Sequence, residues 1–522
     1  MAYKRRLKIG SQKKEETKDN EDSIKLLEAS LKKNLDYVRS KMGNSDDIVI
    51  REVEIQRNIK AAVIYTDGLA DSKSINHFLL GPILLEFADD IAYERQNMVE
   101  LIKSKVLTVG EIKDVDHFGE LFDALLSGDV LLLLDGYRQG IIISLKGWEN
   151  RSVTEASTET IIRGPKESFI ENLRTNTAMI RRKVRNPNLW LESRKIGKLS
   201  KTNVALMYIK GIVNEKTVEE VRKRLDRINI DGILESGYIE QLVQDATRTP
   251  FPTMYNTERP DVVAADLMEG RIAILVDGTP FVLIVPAVFI QFFQAAEDYY
   301  YRVEFSSLLR ILRLICFFIA LMGPSFYIAI TTFHQEMIPG ELLISLVAQR
   351  ESVPFPAFVE ALIMEVTFEI LREAGIRMPR AIGQAVSIVG TLVVGTAAVD
   401  AGMVSAAMVI VVSITAISNF VFPAINMAIP IRILRFPLMA LAASFGLLGI
   451  LVGLLVLMLH LCGLRSFGVP YMSPMAPLVM EDIKDTLVRL PRWAMKTRPH
   501  FVGENNSVRE RTSEPRPPEK DQ

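Results

Sequence analysis

Ala61-Ala62-Val63-Ile64-Tyr65-Thr66-Asp67-Gly68 reads as a buried strand running into a glycine turn. Val204-Ala205-Leu206-Met207-Tyr208-Ile209-Lys210-Gly211 repeats it 143 residues later. Downstream, Gly128-Asp129-Val130 through Asp135-Gly136 is matched 142 residues on by Gly270-Arg271-Ile272 through Asp277-Gly278. In both copies a helix-like stretch follows the first strand. The second strand ends at Asp-Gly, the strongest short hairpin signal, and another apolar strand follows. Landmarks in so constant a register predict a duplication. The expected units are a first α/β subdomain at 48–150, a helical connector at 151–199, and a second α/β subdomain with an interfacial helix at 200–298. A ligand cleft between the halves and a simple assembly platform both remain open readings.

The duplication also disposes of a false membrane span. Gly278 to Ala296 is uncharged for 19 residues. Its counterpart in the first copy, Gly136–Ser144, is the return strand of a hairpin. Phe281–Val285 is therefore expected as a strand and Val288–Ala296 as a short helix on a membrane surface, with Tyr299, Tyr300, Tyr301 and Arg302 at the interface.

Beyond that point the charge pattern changes. The chain as a whole carries net charge −1 and 24% charged residues, yet none lies between Arg313 and His334, Arg380 and Asp400, Asp400 and Arg432, or Arg435 and His460. Each gap holds 18 or more residues, enough to cross a hydrocarbon core of ~30 Å. The reading is an α/β duplicated cytoplasmic domain followed by an α-helical polytopic transmembrane domain at 299–465. Spans are expected near 311–333, 381–400, 403–429 and 436–462. Gly383, Ser387, Gly390 and Gly395 in the second, and the GxxxG of Gly449 and Gly453 in the last, are candidate helix-packing positions. Pro324, Pro423 and Pro430 predict kinks or broken ends.

The segment 355–375 is helical in pattern but acidic. Glu365, Glu369 and Glu373 fall on one stripe, and Glu360 lies about 140° away on a helical projection. It reads either as an amphipathic surface helix with Glu369–Arg372 and Glu373–Arg377 pairs, or as a re-entrant or spanning helix. In the second case these four glutamates are ion-path candidates that form a ring when copies assemble. The topology stays open at this point. Four spans put the basic tail with the soluble domain but the Arg432–Arg435 loop opposite, and a fifth span at 355–375 reverses both.

Residues 1–47 read as a charged, partly disordered leader with one amphipathic helix through Ile24, Leu27, Leu31, Leu35 and Val38, and 466–522 as a cytoplasmic basic tail disordered at its end. No secretory signal opens the chain. Ile162-Arg163-Gly164-Pro165 opens a connector helix ending in Ile180-Arg181-Arg182-Lys183, read as a strut with a solvated basic face in preference to an anion site. Cys316 and Cys462 fit small buried hydrophobes. There is no P-loop, dinucleotide fingerprint, GxSxG or HExxH, and the five histidines have no ligand spacing. Asp67, Asp71, Asp135 and Asp277 are accounted for by turn chemistry. No enzyme activity, cofactor, metal or nucleic-acid partner is expected.

Over roughly 50–495 the sequence resembles the A-subunit family of spore germinant receptors, the GerA-type spore germination proteins. The resemblance rests on Ile162-Arg163-Gly164-Pro165 through Arg181-Arg182, Pro250-Phe251-Pro252-Thr253, Glu258-Arg259-Pro260-Asp261, Glu269-Gly270-Arg271 to Phe281, and Glu297-Asp298-Tyr299-Tyr300. It continues in Glu369 to Gly375 with Pro379, Ser387-Ile388-Val389-Gly390 and Phe467-Gly468-Val469-Pro470-Tyr471. It implies a subunit of the inner spore membrane, with its soluble domain on the core side. It also implies a transporter-like, germinant-binding B subunit and a C-subunit lipoprotein as partners, and homo-oligomers forming a germinant-gated cation channel. A paralogous branch accompanies the channel that releases dipicolinic acid, and a non-conducting scaffold for the germinant-binding subunit is the other alternative.

Overall fold

The computed structural model describes residues 25–56, 59–86, 98–103, 111–147, 156, 158–377, 395–503, 507–510 and 512–515. Each repeat is a five-stranded sheet in which every ladder is antiparallel. The first runs in the order β1 (Ile48–Gln56), β2 (Ile59–Thr66), β4 (Val130–Leu134), β5 (Gly140–Ile143), β3 (Ile112–Val115). The second, β6 (Leu189–Ile196), β7 (Thr202–Ile209), β9 (Ile272–Val276), β10 (Val282–Val285), β8 (Tyr255–Thr257), has the same order.

The central strands are apolar throughout because both faces are covered, with the period of two deciding the side. Ala62 and Ile64 of β2 pack with Leu31, Leu35, Phe118 and Leu121, whereas Ala61, Val63 and Tyr65 pack with Ile75, Leu79 and Ile83. In β7, Ala205, Met207 and Ile209 face one core, and Val204, Leu206 and Tyr208 the other.

The repeat reaches further than the sequence boundaries at 48 and 200. Helix α1 (Leu31–Lys41) and helix α3 (Leu173–Lys183) are equivalent, as are α2 (Phe118–Leu126) and α6 (Pro260–Met268), each pair 142 residues apart. Hydrogen bonds repeat in the same register. Leu31 N donates to Asp135 Oδ1 at 3.0 Å and Leu173 N to Asp277 Oδ1 at 3.2 Å. Asn34 Nδ2 donates to the Glu28 carbonyl and Asn176 Nδ2 to that of Ile170. The hairpin aspartates thus supply an acceptor to the orphan N–H groups of a helix start, besides making their turns. The expected leader helix is therefore part of the first repeat, and the expected connector supplies α3 and β6 to the second. Arg181, read as part of a solvated face, is fully buried: its Nε and Nη2 hold Asp47 at 2.7 and 2.9 Å, and Nη2 reaches Ser45 Oγ at 3.1 Å.

After β10 the chain makes two 3₁₀ turns, Phe289–Phe293 and Ala296–Tyr299. Phe289, Phe292 and Phe293 are buried against Phe317, Phe422 and Tyr471, so the short helix expected on a membrane surface is a 3₁₀ turn packed inside protein. The core of the second repeat therefore continues without interruption into the helices that follow.

Those helices are α7 (Val303–Phe333), α8 (Gly340–Arg350), α9 (Ala357–Arg377), α10 (Ala406–Asn419) and α11 (Ile425–Gly463). Two of them, α7 and α11, are long and apolar enough to cross a membrane. The expected span 403–429 is split, since α10 stops at Asn419 before α11 begins. The expected span 436–462 is broken as well. Gly446 adopts φ 60°, ψ −140°, and the chain reverses there. Beyond it Gly449 lies against Leu441 and Gly453 against Leu438, so the GxxxG packs the two limbs of one helical hairpin. His460 returns to the soluble domain, 2.9 Å from Thr249 Oγ1. Of the expected span 381–400, with Gly383, Ser387 and Gly390, only Gly395–Asp400 falls within the described residues; it is helical, with Gly395 near Val409.

The tail does not hang free up to residue 503. Arg465–Ser466 and Val469–Pro470 form a small ladder, Ser466 Oγ donates to the Thr253 carbonyl at 2.6 Å, and Tyr471 is fully buried. Cys316 is buried as expected, but Cys462 is exposed.

A side chain at Gly446 has to meet His334 and Phe333 and adopt a backbone conformation nearly reserved for glycine. Gly446→Ala is expected to destabilise the protein by about 2 kcal/mol or more, read as a lowered thermal midpoint in detergent. Gly463→Ala, with open space around it, should stay within about 0.5 kcal/mol.

Candidate functional site: buried charge at the domain junction and between the helices

Two charged clusters stand out because an apolar surrounding makes an unpaired charge so costly. The first lies where α7 leaves the second repeat. Asp298 is fully buried. Its carboxylate accepts from Arg310 Nε at 3.2 Å and from Arg313 Nη1 at 2.9 and 2.7 Å. The two arginines are three residues apart, hence on one face of α7. Arg310 Nη1 also reaches Asp485 of the tail at 2.8 Å, and Tyr299 Oη donates to that carboxylate at 2.7 Å. Arg489 of the tail donates to the Asp298 and Tyr301 carbonyls at 2.7 and 2.9 Å. Burial, with the Asp485 carboxylate beside it, holds the Tyr299 phenol well above its usual range, so it stays a donor. Domain, helix and tail are thereby bolted together, α7 through the Asp298 carboxylate and the tail through Asp485 and the Asp298 and Tyr301 carbonyls.

The second cluster lies among the helices and contains the glutamates singled out in the sequence. Glu365 and Arg435 are both fully buried and bonded to each other, and Arg435 Nε donates to the Ala320 carbonyl at 2.7 Å. Glu369 is paired with Arg432, at 2.7 Å from Nε, where the sequence suggested Arg372. Glu360, also fully buried, accepts from Arg350 Nε at 3.3 Å and from Ser405 N and Oγ at 3.1 and 2.9 Å. Glu373 pairs with Arg377 on the surface, as the spacing suggested. The structure thus brings Glu360, Glu365 and Glu369 to partners on other elements and leaves Glu373 outside. Within one chain these acids pin α9 to α8, α10 and α11.

The same contacts give each helix a direction. Ala320 meets Arg435 and Phe333–His334 meets Gly446, so α7 and the first limb of α11 run together away from the soluble domain. Glu360 at Ser405, then Glu365 at Arg435, then Glu369 at Arg432 shows α9 running back toward it. Tyr327 at Ser405 and Phe293 at Phe422 shows the same for α10. The sequence marked Arg432 and Arg435 as topology signals and, with Arg313, as edges of uncharged gaps, and it gave Arg310 no part. The i, i+3 spacing of each pair on an apolar helix was the available signal.

Fold and site together define a duplicated α/β domain bolted through buried charges to a bundle of apolar helices. Residues 36–501 match the family model described as Bacillus/Clostridium GerA spore germination protein. The chain belongs to that family, the A-type subunits of spore germinant receptors. It is 50% identical to spore germination protein KA of Bacillus subtilis strain 168, covering 93% of this chain and 89% of that protein. It is 43% identical to the uncharacterized membrane protein YfkQ of the same organism, covering 94% of each, and 39% identical to spore germination protein GerLA of Bacillus cereus, covering 92% and 97%. Among solved structures, it is similar to the N-terminal domain of the A subunit of the Bacillus megaterium spore germinant receptor GerK3, at 47% identity and a TM-score of 0.41, covering 51% of this chain and 98% of that one.

Removing one partner of a buried pair strands the other charge. Glu365→Leu and Arg435→Leu alone are each expected to cost about 3–5 kcal/mol, whereas the double variant should recover much of that loss. Thermal unfolding of the four proteins in a double-mutant cycle measures it, with Glu373→Gln, an exposed pair, shifting by less than about 1 kcal/mol.

Proposed function

We propose that this chain is the A subunit of a nutrient germinant receptor that triggers spore germination from the inner spore membrane, with its soluble domain on the core side. The observation that carries this reading is the Asp298 junction, which ties a soluble domain to apolar helices that themselves hold buried ion pairs. Family membership supports the receptor assignment. The partners proposed are a transporter-like, germinant-binding B subunit, a C-subunit lipoprotein and further copies of this chain.

In this reading α7, α9, α10 and both limbs of α11 cross the bilayer, together with the expected span 381–400. Six crossings bring the Arg432–Arg435 end of α11 and the basic tail to the side of the soluble domain, as the positive-inside rule requires. The sequence alone could not satisfy both. The reading is tested with impermeant maleimide on oriented vesicles, after Cys316 and Cys462 are replaced by serine. Gln349→Cys and Arg465→Cys, both exposed, should label from opposite faces; labelling from one face overturns it.

The copies are proposed to assemble around a cation path opened by germinant. Ion pairs that hold α9 in the resting chain supply its acidic lining once they exchange partners. Charge-removing changes at Glu369 and Glu365 should alter cation release on germinant addition, by several-fold at Glu369, whose pair is the more exposed. Unchanged flux in spores carrying Glu369→Gln rules out the acidic path and favours the non-conducting scaffold.

A further inference from the structure

A cavity of about 100 Å³ lies between α6 of the second repeat, the 3₁₀ segment before α7, and the tail. Its lining is unusual for its burial. Asp266, Arg271 and Gln291 are each more than nine-tenths buried. Asp266 sits between the other two: Oδ1 accepts from Arg271 Nη1 at 2.9 Å and Oδ2 from Gln291 Nε2 at 3.1 Å. On either side of that carboxylate a buried polar atom is left without a protein partner, a donor at Arg271 Nε and an acceptor at Gln291 Oε1. Buried polar groups are rarely left so. The cavity that both residues line is where a partner would be found.

The charge of the lining narrows what the partner is. Arg271 is balanced by Asp266, Arg509 by Glu269 at 3.2 Å, and Asp261 by Arg259 at 2.7 Å. The lining holds three acids and three arginines, but Asp261 is engaged from outside it by Arg259, which leaves Arg492, over the Tyr299 ring at the exposed edge, as the lining arginine without an ion pair among the described residues. Water fills such a space at ~30 Å³ per molecule, and so does a solute of four to six heavy atoms.

We propose that this cavity binds a compact monocarboxylate that also carries one hydrogen-bond donor: the carboxylate takes the arginine side and the donor meets Gln291 Oε1. Its walls come from the second repeat, the junction segment and the tail, the three parts that Asp298 and Asp485 join. An occupant therefore bridges that junction whether or not the helices conduct ions.

The test uses the full chain purified in detergent, with glycolate and glycine as probes and acetate and methylammonium as partial ones. Isothermal titration should give saturable one-site binding of glycolate or glycine. Acetate, lacking the donor, and methylammonium, lacking the carboxylate, should bind at least tenfold more weakly. Arg492→Gln, at an exposed position, should weaken binding at least tenfold without lowering the thermal midpoint of the unliganded protein, and Gln291→Glu should abolish it. Two results overturn the proposal: no saturable binding of either probe up to 50 mM (roughly the weak limit for so small a ligand), or equal binding by wild type and Arg492→Gln. The first means a cavity that holds water only; the second means that the probe binds elsewhere on the chain.

Discussion

The structure depends on keeping Asp298 out of water without leaving it alone. A carboxylate in that position is tolerable only if cations reach it from several sides. The chain supplies them from α7, as Arg310 and Arg313, while Arg489 of the tail, about 190 residues downstream, donates to the Asp298 backbone carbonyl. The path of the tail is set by that carbonyl and by the Asp485–Arg310 pair. The root of α7 is set as well, because two arginines one turn apart must face the same carboxylate. The aromatic wedge of Phe289, Phe293, Phe317 and Phe422 packs beside the cluster, where Arg313 Nη1 donates to the Phe293 carbonyl at 3.2 Å.

Much of the soluble fold was legible in the sequence because period-two burial and Asp-Gly turns are local signals. The repeat marked three of the five strands in each copy, β2, β4 and β5 and again β7, β9 and β10, and it removed the apolar run 278–296 from the list of spans. What it missed were the ends. Leu31–Lys41 looked like a leader because its sequence is polar on one face, and its counterpart Leu173–Lys183 looked like a strut for the same reason. Each is half of a sheet's cover, and only the placement of Asn34 and Asn176 in register shows it.

In the helical part the apolar gaps were plain, but pairing and direction were not. A glycine in an apolar run reads as a packing position, and nothing local distinguishes Gly446, where the chain turns back, from Gly449 and Gly453, which permit the close return. The glutamates were visible as a stripe. Their partners were invisible because Arg432 and Arg435 lie more than 60 residues away. Acids four residues apart on one apolar helix and arginines three apart on another each lie on a single face and make a complementary set, which the pairs Glu365–Arg435 and Glu369–Arg432 fill.

The two repeats are not equivalent in what they hold. The core of the second runs into Phe317, Ala320 and Leu438 of the helices. The first repeat touches the second through Arg181 with Asp47 and Ser45, and through Trp190, which lies flat on Gly43 and donates from Nε1 to the Lys41 carbonyl. Gly43, at φ 64°, leaves no room for a side chain beneath that ring. Arg181 and Trp190 belong to α3 and β6, elements of the second repeat's own cover and edge. A tilt of the first repeat therefore acts on α3 and β6 together. From α3 it reaches the helices through Met179 and Ile180 in the shared core. The second repeat shares its core with the helices, and the first is joined to it through these two elements.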